Sequence, residues 1–436
     1  MPKLPPTVYL LAWVSFFNDV ASDMVIPLLP LLLAGPIGGG AIALGLMEGA
    51  ADAVASLMRV WSGRRSDRSA GGRKPLAVAG YTLSNVVRPL LGLAPAWWSL
   101  LALRAIDRVG KGIRSAPRDA LLVDVTPVEQ RGQAFGIHRA FDNAGAVCGA
   151  LLAALLLHTF HADVREVVWW SAVPGSCAVL LFAFAVREPA RRHAPPPASP
   201  PPSAPPPSPL PASPPTSLPA VPNSALPTEP HADRRLTPGR LAVPPGPVAR
   251  RFGFLAAQPA LARYLRALIL FSASRSSETF IVLRGHELDM SPGALLVLWA
   301  GLNAAKAGAA RLGGARSDRH GPLTILRVSW LGSALTSAAL AVAGSPAWLV
   351  AVALVGSVPV GLGEGAERAY IGDLAPFDQR GTAYGWYNLT TGMAAIPAGL
   401  AFGTLWHYAG APAAFLTAAL IGLAALAWLP ATAAEA

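Results

Sequence analysis

The stretch DVTPVEQRGQAFG, residues 124–136, returns as DLAPFDQRGTAYG at 373–385. A second stretch does the same: GRRSDR at 63–68 returns as GARSDR at 314–319. Both pairs lie about 250 residues apart and in the same order. Ser22-Asp23 and Ser277-Glu278 add a weaker match at a similar distance. Chance can produce one such agreement, but not two strong ones in register. The chain is therefore read as an internal duplication.

Composition says what kind of unit is duplicated. Of 436 residues, 53% are hydrophobic and 14% charged, and mean hydropathy is +0.44. That is too apolar for an ordinary soluble protein and points to many membrane spans. A span needs roughly 20 mostly apolar residues. Apolar runs between charged or turn-like breaks give twelve, near 8–33, 41–62, 76–94, 97–117, 132–157, 166–186, 260–283, 293–312, 323–343, 346–370, 381–405 and 411–430. The first is too long for the apolar core of a cleaved signal and is read as a retained span. Cys148 and Cys177 both lie in apolar runs, so no disulfide framework or CxxC metal site is expected.

The net charge of +11 suits nucleic acid less well than membrane topology. With a cytoplasmic N-terminus, the outer loops hold only Arg165 and Arg284, while the inner ones hold Lys3, Arg64, Arg65, Arg68, Arg73, Lys74, Arg131, Arg316, Arg319 and Arg380. This bias places both termini in the cytoplasm. Between the repeats runs a segment such as PPPASPPPSAPPPSP, which carries about half of the chain's 43 prolines. It cannot bury a core and reads as a disordered or polyproline II tether. The expected domains are an N-terminal six-helix bundle over 1–188, a Pro/Ser/Ala-rich cytoplasmic linker over 189–252, and a C-terminal six-helix bundle over 253–436.

At this point the residues resemble the major facilitator superfamily. The loop after span two is similar to that family's motif A, with Gly63, Asp67, Arg68, Arg73 and Lys74 in the pattern and one residue of altered spacing. The second copy keeps Gly314, Asp318 and Arg319 but lacks the terminal basic pair. RAIDRVGKG at 104–112 resembles the span-four motif B, with Arg104 in the arginine position and Arg108 where that pattern has glycine. GAVCGA at 145–150 resembles a degenerate antiporter motif on span five. SFFNDVASDMVIPLLPLLL and DRVGKGIRSAPRDALLVD resemble a poorly characterised prokaryotic branch of predicted efflux permeases. The resemblance implies an all-α polytopic membrane protein, with 12 transmembrane helices as two pseudo-symmetric six-helix bundles. It also implies a cavity lined by spans one, four, seven and ten, and spans five and eight packed across the domain interface. The loop-motif residues Asp124, Arg131, Asp373 and Arg380, together with motif A, are then expected at a cytoplasmic gate.

Charges inside spans are the candidate functional groups, because each costs about 2.5–3.5 kcal/mol at mid-span and must pair or face the bundle interior. Span one carries Asp19 and Asp23, four apart on one face. Span four carries Arg104, Asp107, Arg108 and Lys111, span seven Arg275 and Glu278, and span ten Glu364, Glu367 and Arg368. Glu48 and Asp52 share a face of span two. Asp19, Asp23, Glu48, Asp52, Arg104, Asp107, Arg108, Lys111, Arg275, Glu278 and Glu364 are expected to line the cavity and couple protons. A carboxyl group buried away from water keeps its proton to higher pH, and a nearby arginine reverses that. His138 and Asp142 lie four apart on span five, and an interdomain pair between Asp142 and Lys306 of span eight is expected.

His158 and His161 lack further metal ligands, and GLGEGA at 361–366 lies inside a span, where helix packing explains its glycines. No Walker A, Ser-His-Asp or zinc-protease pattern is present, so no enzyme, metal site or cofactor is expected. The reading is a secondary transporter of the inner or plasma membrane, monomeric in the lipid bilayer, driven by a proton or other ion gradient, and moving a small molecule or ion. Export is favoured. Proton-coupled uptake, metal-cation export and a non-transporting sensor or scaffold are the alternatives. An Asp67→Asn protein is expected to insert normally yet lose transport, checked by uptake into vesicles with matched protein content.

Overall fold

The computed structural model describes residues 4–35, 37–68, 73–127, 131–188, 258–275, 277–374 and 380–429. The linker expected at 189–252 lies outside the described residues. Helix α1 is Pro6–Asp23, continued through a 3-10 turn at Ile26–Leu28 into Leu29–Ala34. Then come α2 (Gly40–Arg68), α3 (Lys74–Leu90), α4 (Trp97–Asp124), α5 (Arg131–Thr159) and α6 (Val164–Trp170 with Ala172–Leu180). The second half opens with α7 (Pro259–Ser274, then Thr279–Glu287), followed by α8 (Pro292–His320), α9 (Pro322–Ala341) and α10 (Pro346–Leu374). The last helical run, Arg380–Ala427, turns at Gly410, where φ is +84°. Its two arms are α11 and α12.

Nine helices among the described residues are long and apolar enough to cross a membrane. The remaining expected spans are accounted for physically. Helix α4 carries too many charges to qualify, α7 is broken, and α11 and α12 count as one run. Two sequence expectations need correction. Span seven is not continuous over 260–283: it breaks between Ser274 and Thr279, with Arg275 in extended backbone. Span one also breaks, just after Asp23, where Pro27 cannot donate to the preceding turn. Thus Ser22-Asp23 and Ser277-Glu278, the weak repeat, mark helix breaks in both halves. Helices α2, α5, α8 and α10 each run 29 residues, about 43 Å at 1.5 Å per residue. They outreach a hydrocarbon core of about 30 Å, so their charged ends project beyond it.

The two halves meet along α2–α11 and α5–α8. At the first seam glycines bring backbones together. A Cβ on Gly45 or Gly399 would fall on the carbonyl of the facing glycine, and one on Gly403 on the carbonyl of Ala41. Small residues permit this approach, which dispersion then rewards in a bilayer. Apolar side chains such as Val86, Leu155, Leu335, Val355 and Leu420 face outward. Trp97, Trp98, Trp169 and Trp348 are exposed near helix starts at the end away from the basic loops, where a membrane interface favours indole.

The core is asymmetric along the membrane normal. At the end away from the basic loops, one cluster joins both halves, from Met24, Leu28 and Leu44 to Phe280, Trp299 and Phe402. At the basic end there are two separate clusters. One holds Val8, Leu11, Tyr81 and Phe182 of the first half, the other Tyr264, Phe271, Trp330 and Tyr370 of the second. The bundle is therefore closed at one end and divided at the other. Gly399→Val should destabilise the closed seam by about 1–3 kcal/mol, while Gly308→Val, whose Cβ meets nothing within 4 Å, should not; melting of the detergent-purified proteins checks this.

Candidate functional site

Two adjoining cavities of about 580 and 620 Å³ lie between the halves. They share Arg275, Ser333, Val360, Arg368 and Tyr387. Phe280, Trp299 and Phe402 of the joined core, with Ile26 packed against it, line the first cavity and close it away from the basic loops. Glu48, Asp52, Arg104, Arg108, Arg275 and Glu278 line that cavity, and Lys111 and Glu364 the second. These eight are expected cavity residues, brought together from helices α2, α4, α7 and α10.

Asp107 lies behind the wall, 1% exposed. Arg88 reaches it from α3 at 3.3 Å, Arg104 at 3.4 Å and Arg108 at 3.9 Å. Arg88 Nη1 also donates to Asn85 Oδ1 at 2.8 Å, and Arg114 Nη1 donates to Asn18 Oδ1 at 2.9 Å. Arg114 further stacks over the Tyr81 ring at 4.7 Å. Glu48 lies 3.6 Å from Arg104 and accepts from Ser277 Oγ, across the midline, at 3.4 Å. Sequence reading missed Arg88, Arg114, Asn18 and Asn85. Arg88 carried a usable signal, a lone charge inside an apolar span; the neutral amides carried none.

The broken helices place the repeat carboxylates. Lys306 Nζ of α8 donates to Glu278 Oε2 at 2.7 Å. Trp299 Nε1, seven residues earlier on α8, donates to Asp23 Oδ1 at 2.9 Å. One face of α8 thus holds the carboxylate of each repeat. The expected Asp142–Lys306 pair is not formed: α5 and α8 do pack together, but the break in α7 presents Glu278 to Lys306 instead. Asp142 is paired within α5, with His138 at 3.4 Å and Arg139 at 3.7 Å. Asp19 and Asp23 were expected to line the cavity but are not among the residues lining either one. Asp19 accepts from Asn18 at 2.9 Å and lies against α5, where a Cβ on Gly145 would come within 3.2 Å of its Cβ. Arg104 and Arg108 pair with Asp107 and Glu48.

Glu367, buried on α10, accepts from Tyr387 at 2.8 Å and lies 3.9 Å from Arg275. The glycines of GLGEGA pack as expected: a Cβ on Gly361 would strike Lys306 O of α8, and one on Gly363 Ser329 Oγ of α9.

At the basic end the basic tail of motif A meets the repeated loop motif of the first half. Arg73 Nη1 binds Asp124 Oδ2 at 2.7 Å. Glu188 accepts from the backbone N–H groups of Arg73 and Lys74 at 2.7 and 3.0 Å, a carboxylate at the start of α3. In the second half Gly321, φ +81°, alone joins α8 to α9, and Asp373 is exposed. The side chains of Asp67, Arg68, Asp318, Arg131 and Arg380 lie outside the described residues. Gly63, Gly314 and Arg319 lie within α2 and α8. Arg118 of α4 is bound by Asp119 at 2.8 Å.

A model of the Major Facilitator Superfamily matches residues 11–306 and 267–436. The chain belongs to this superfamily. An uncharacterised MFS-type transporter of Methanocaldococcus jannaschii is 27% identical over 413 residues, 93% of this chain and 89% of its own. A multidrug resistance protein, MdtH, of Yersinia enterocolitica is 30% identical over 150 residues, 34% of this chain and 36% of its own. Among solved structures, the nucleoside transporter NupG aligns at TM-score 0.69 and 12% identity, covering 98% of this chain and 100% of its own. A bacterial homologue of the human lysosomal transporter Spinster, inward-facing and unoccupied, aligns at TM-score 0.66 and 15% identity, covering 97% and 94%. This superfamily protein is thus a multi-pass membrane transporter.

The buried and peripheral ion pairs differ in consequence. Removing one partner of a buried pair leaves a charge stranded and costs about 3–5 kcal/mol; an exposed pair contributes at most about 1 kcal/mol. Asp107→Leu should therefore lower the melting temperature strongly, and Arg73→Ala barely, in detergent-purified protein.

Proposed function

We propose that the protein exports a small polar or charged solute across the plasma membrane in exchange for protons, by alternating access. The observation that carries this reading is a charged cavity between two half-bundles, closed at one end by a joined core and divided at the basic end. With the basic loops in the cytoplasm, as the charge bias indicates, both termini are cytoplasmic and the cavity faces inward. Rocking of the halves about the cavity would bring the separate clusters at the basic end together and part the joined one. No bound cofactor enters the cycle; the ion gradient drives it, and one chain in the bilayer suffices. The relative named as a multidrug resistance protein supports the outward direction.

The coupling groups are the two carboxylates at the helix breaks. A proton on Glu278 neutralises it and releases Lys306. Asp23, held by Trp299 of the other half, must part from it when the closed end opens. Asp19, Glu48 and Asp52 supply further acceptors along the same path. The repeat loop motif and motif A act at the basic end, where Arg73–Asp124 ties loop to helix and Asp67 and Asp318 bear on closure.

The test is solute-induced proton movement in proteoliposomes, across a panel of metabolites, drugs and cations. Glu278→Gln and Asp23→Asn should each cut proton movement at least tenfold, while counterflow exchange of the same solute persists. Proton movement in the same direction as the solute would make the protein an uptake symporter. Unaltered proton movement in both variants would remove these carboxylates from the coupling path.

A further inference from the structure

We propose that the solute bound in the cavity is a small oxyanion, carboxylate or phosphate, held by Arg108 and Lys111 of α4 with Arg59 of α2 and Arg368 of α10. This deepens the transporter reading and rests on it. Eight Arg or Lys side chains line the two cavities, against five Asp or Glu. Most of the acids are already engaged. Glu278 is taken by Lys306, Glu48 by Arg104 and Ser277, and Glu367 by Tyr387 and Arg275. Asp107, behind the wall, is shared between Arg88 and Arg104. Among the described lining residues, Asp52 and Glu364 remain to balance Arg59, Lys111 and Arg368, with Arg108 held by Asp107 only at 3.9 Å.

Those cations converge. Arg108 and Lys111 are three apart on one face of α4. Helix α2 meets α4 at Gly112, where a Cβ would come within 3.2 Å of the Arg59 backbone nitrogen. Arg59 and Arg108 line the first cavity and Lys111 the second, while Arg368 of the opposite half lines both. Arg108 is 6% exposed, and its Nε has no hydrogen-bond partner. Its contact with Asp107 is 3.9 Å, beyond hydrogen-bond range. Arg104 beside it has no hydrogen-bond partner at Nε, and its Nη2 meets Glu48 only at 3.6 Å. Guanidinium donors buried in this way want acceptor oxygens, and a planar or tetrahedral oxyanion supplies them in the matching geometry. A cationic solute would find most of the lining carboxylates occupied and basic side chains in excess around the two that remain. The cavity volumes suit a metabolite-sized ligand.

The experiment is thermal unfolding of the full chain in detergent with acetate, succinate, citrate or inorganic phosphate, against choline and spermidine at matched ionic strength. At least one oxyanion is expected to raise the melting temperature saturably, on the order of 3 °C, and choline and spermidine to leave it unchanged. An Arg108→Gln/Lys111→Gln protein that still elutes as a single species should lose the shift or need at least tenfold more anion. If the double variant fails to fold, Arg368→Gln should show the same loss. Arg73→Gln, at the basic end, should keep the shift. The proposal is overturned if no oxyanion shifts the wild type, if the shift survives in the variants, or if a polycation stabilises instead. Stabilisation by cations alone would discard the oxyanion and leave alternating access standing. Absence of solute-driven proton movement would strike the transport reading, not the anion site.

Discussion

A full charge in hydrocarbon must find a partner or a water-filled space, and this protein obeys that constraint at its centre. Asp107 is enclosed by Arg88, Arg104 and Arg108 from α3 and α4. Around it the amides of Asn18 and Asn85 and the guanidinium of Arg114 fix α1, α3 and α4 into one block. Such a network gains little net energy over apolar packing, but it is costly to disrupt. It therefore sets how these helices sit. The cavity-facing charges, Glu48 and Arg104 first among them, stand on that block and inherit its position.

The two helix breaks are the second organising feature. A broken span exposes backbone groups that lipid could not satisfy, so breaks are tolerated only where protein or a watery cavity surrounds them. In α7 the break carries Arg275 and Glu278 to the cavity wall; in α1 it leaves Asp23 facing α8. Both carboxylates are received by α8, through Lys306 and Trp299. A single helix thereby senses both repeats. The asymmetry of the core adds direction: apolar packing and glycine seams join the halves at one end only, and polar contacts span the middle.

At the basic end the repeats are alike in sequence and unequal in structure. In the first half Arg73, from the basic tail of motif A, and Asp124, from the repeated loop motif, meet in an ion pair, and Glu188 holds the start of α3. In the second half a single glycine replaces that loop. The missing terminal basic pair after GARSDR is the sequence counterpart of this inequality, whereas the part of Glu188 could not be read from any motif.

The sequence by itself determined the duplication, the membrane class, the order of the helical segments and the basic end, because apolar periodicity and charge are local properties that hydrocarbon sorts directly. It also marked the residues that could not be left unpaired. Arg88 was legible by that same rule, as a lone charge in an apolar span. Partner choice was decided only by the tertiary structure. Lys306 takes Glu278 rather than Asp142 because α7 breaks where a continuous helix was expected, and Asp23 meets Trp299, an indole with no sequence signature for that task. Pairing depends on helix rotation, on breaks and on which glycines let backbones touch, and these are settled between segments, where no single stretch of chain carries the information.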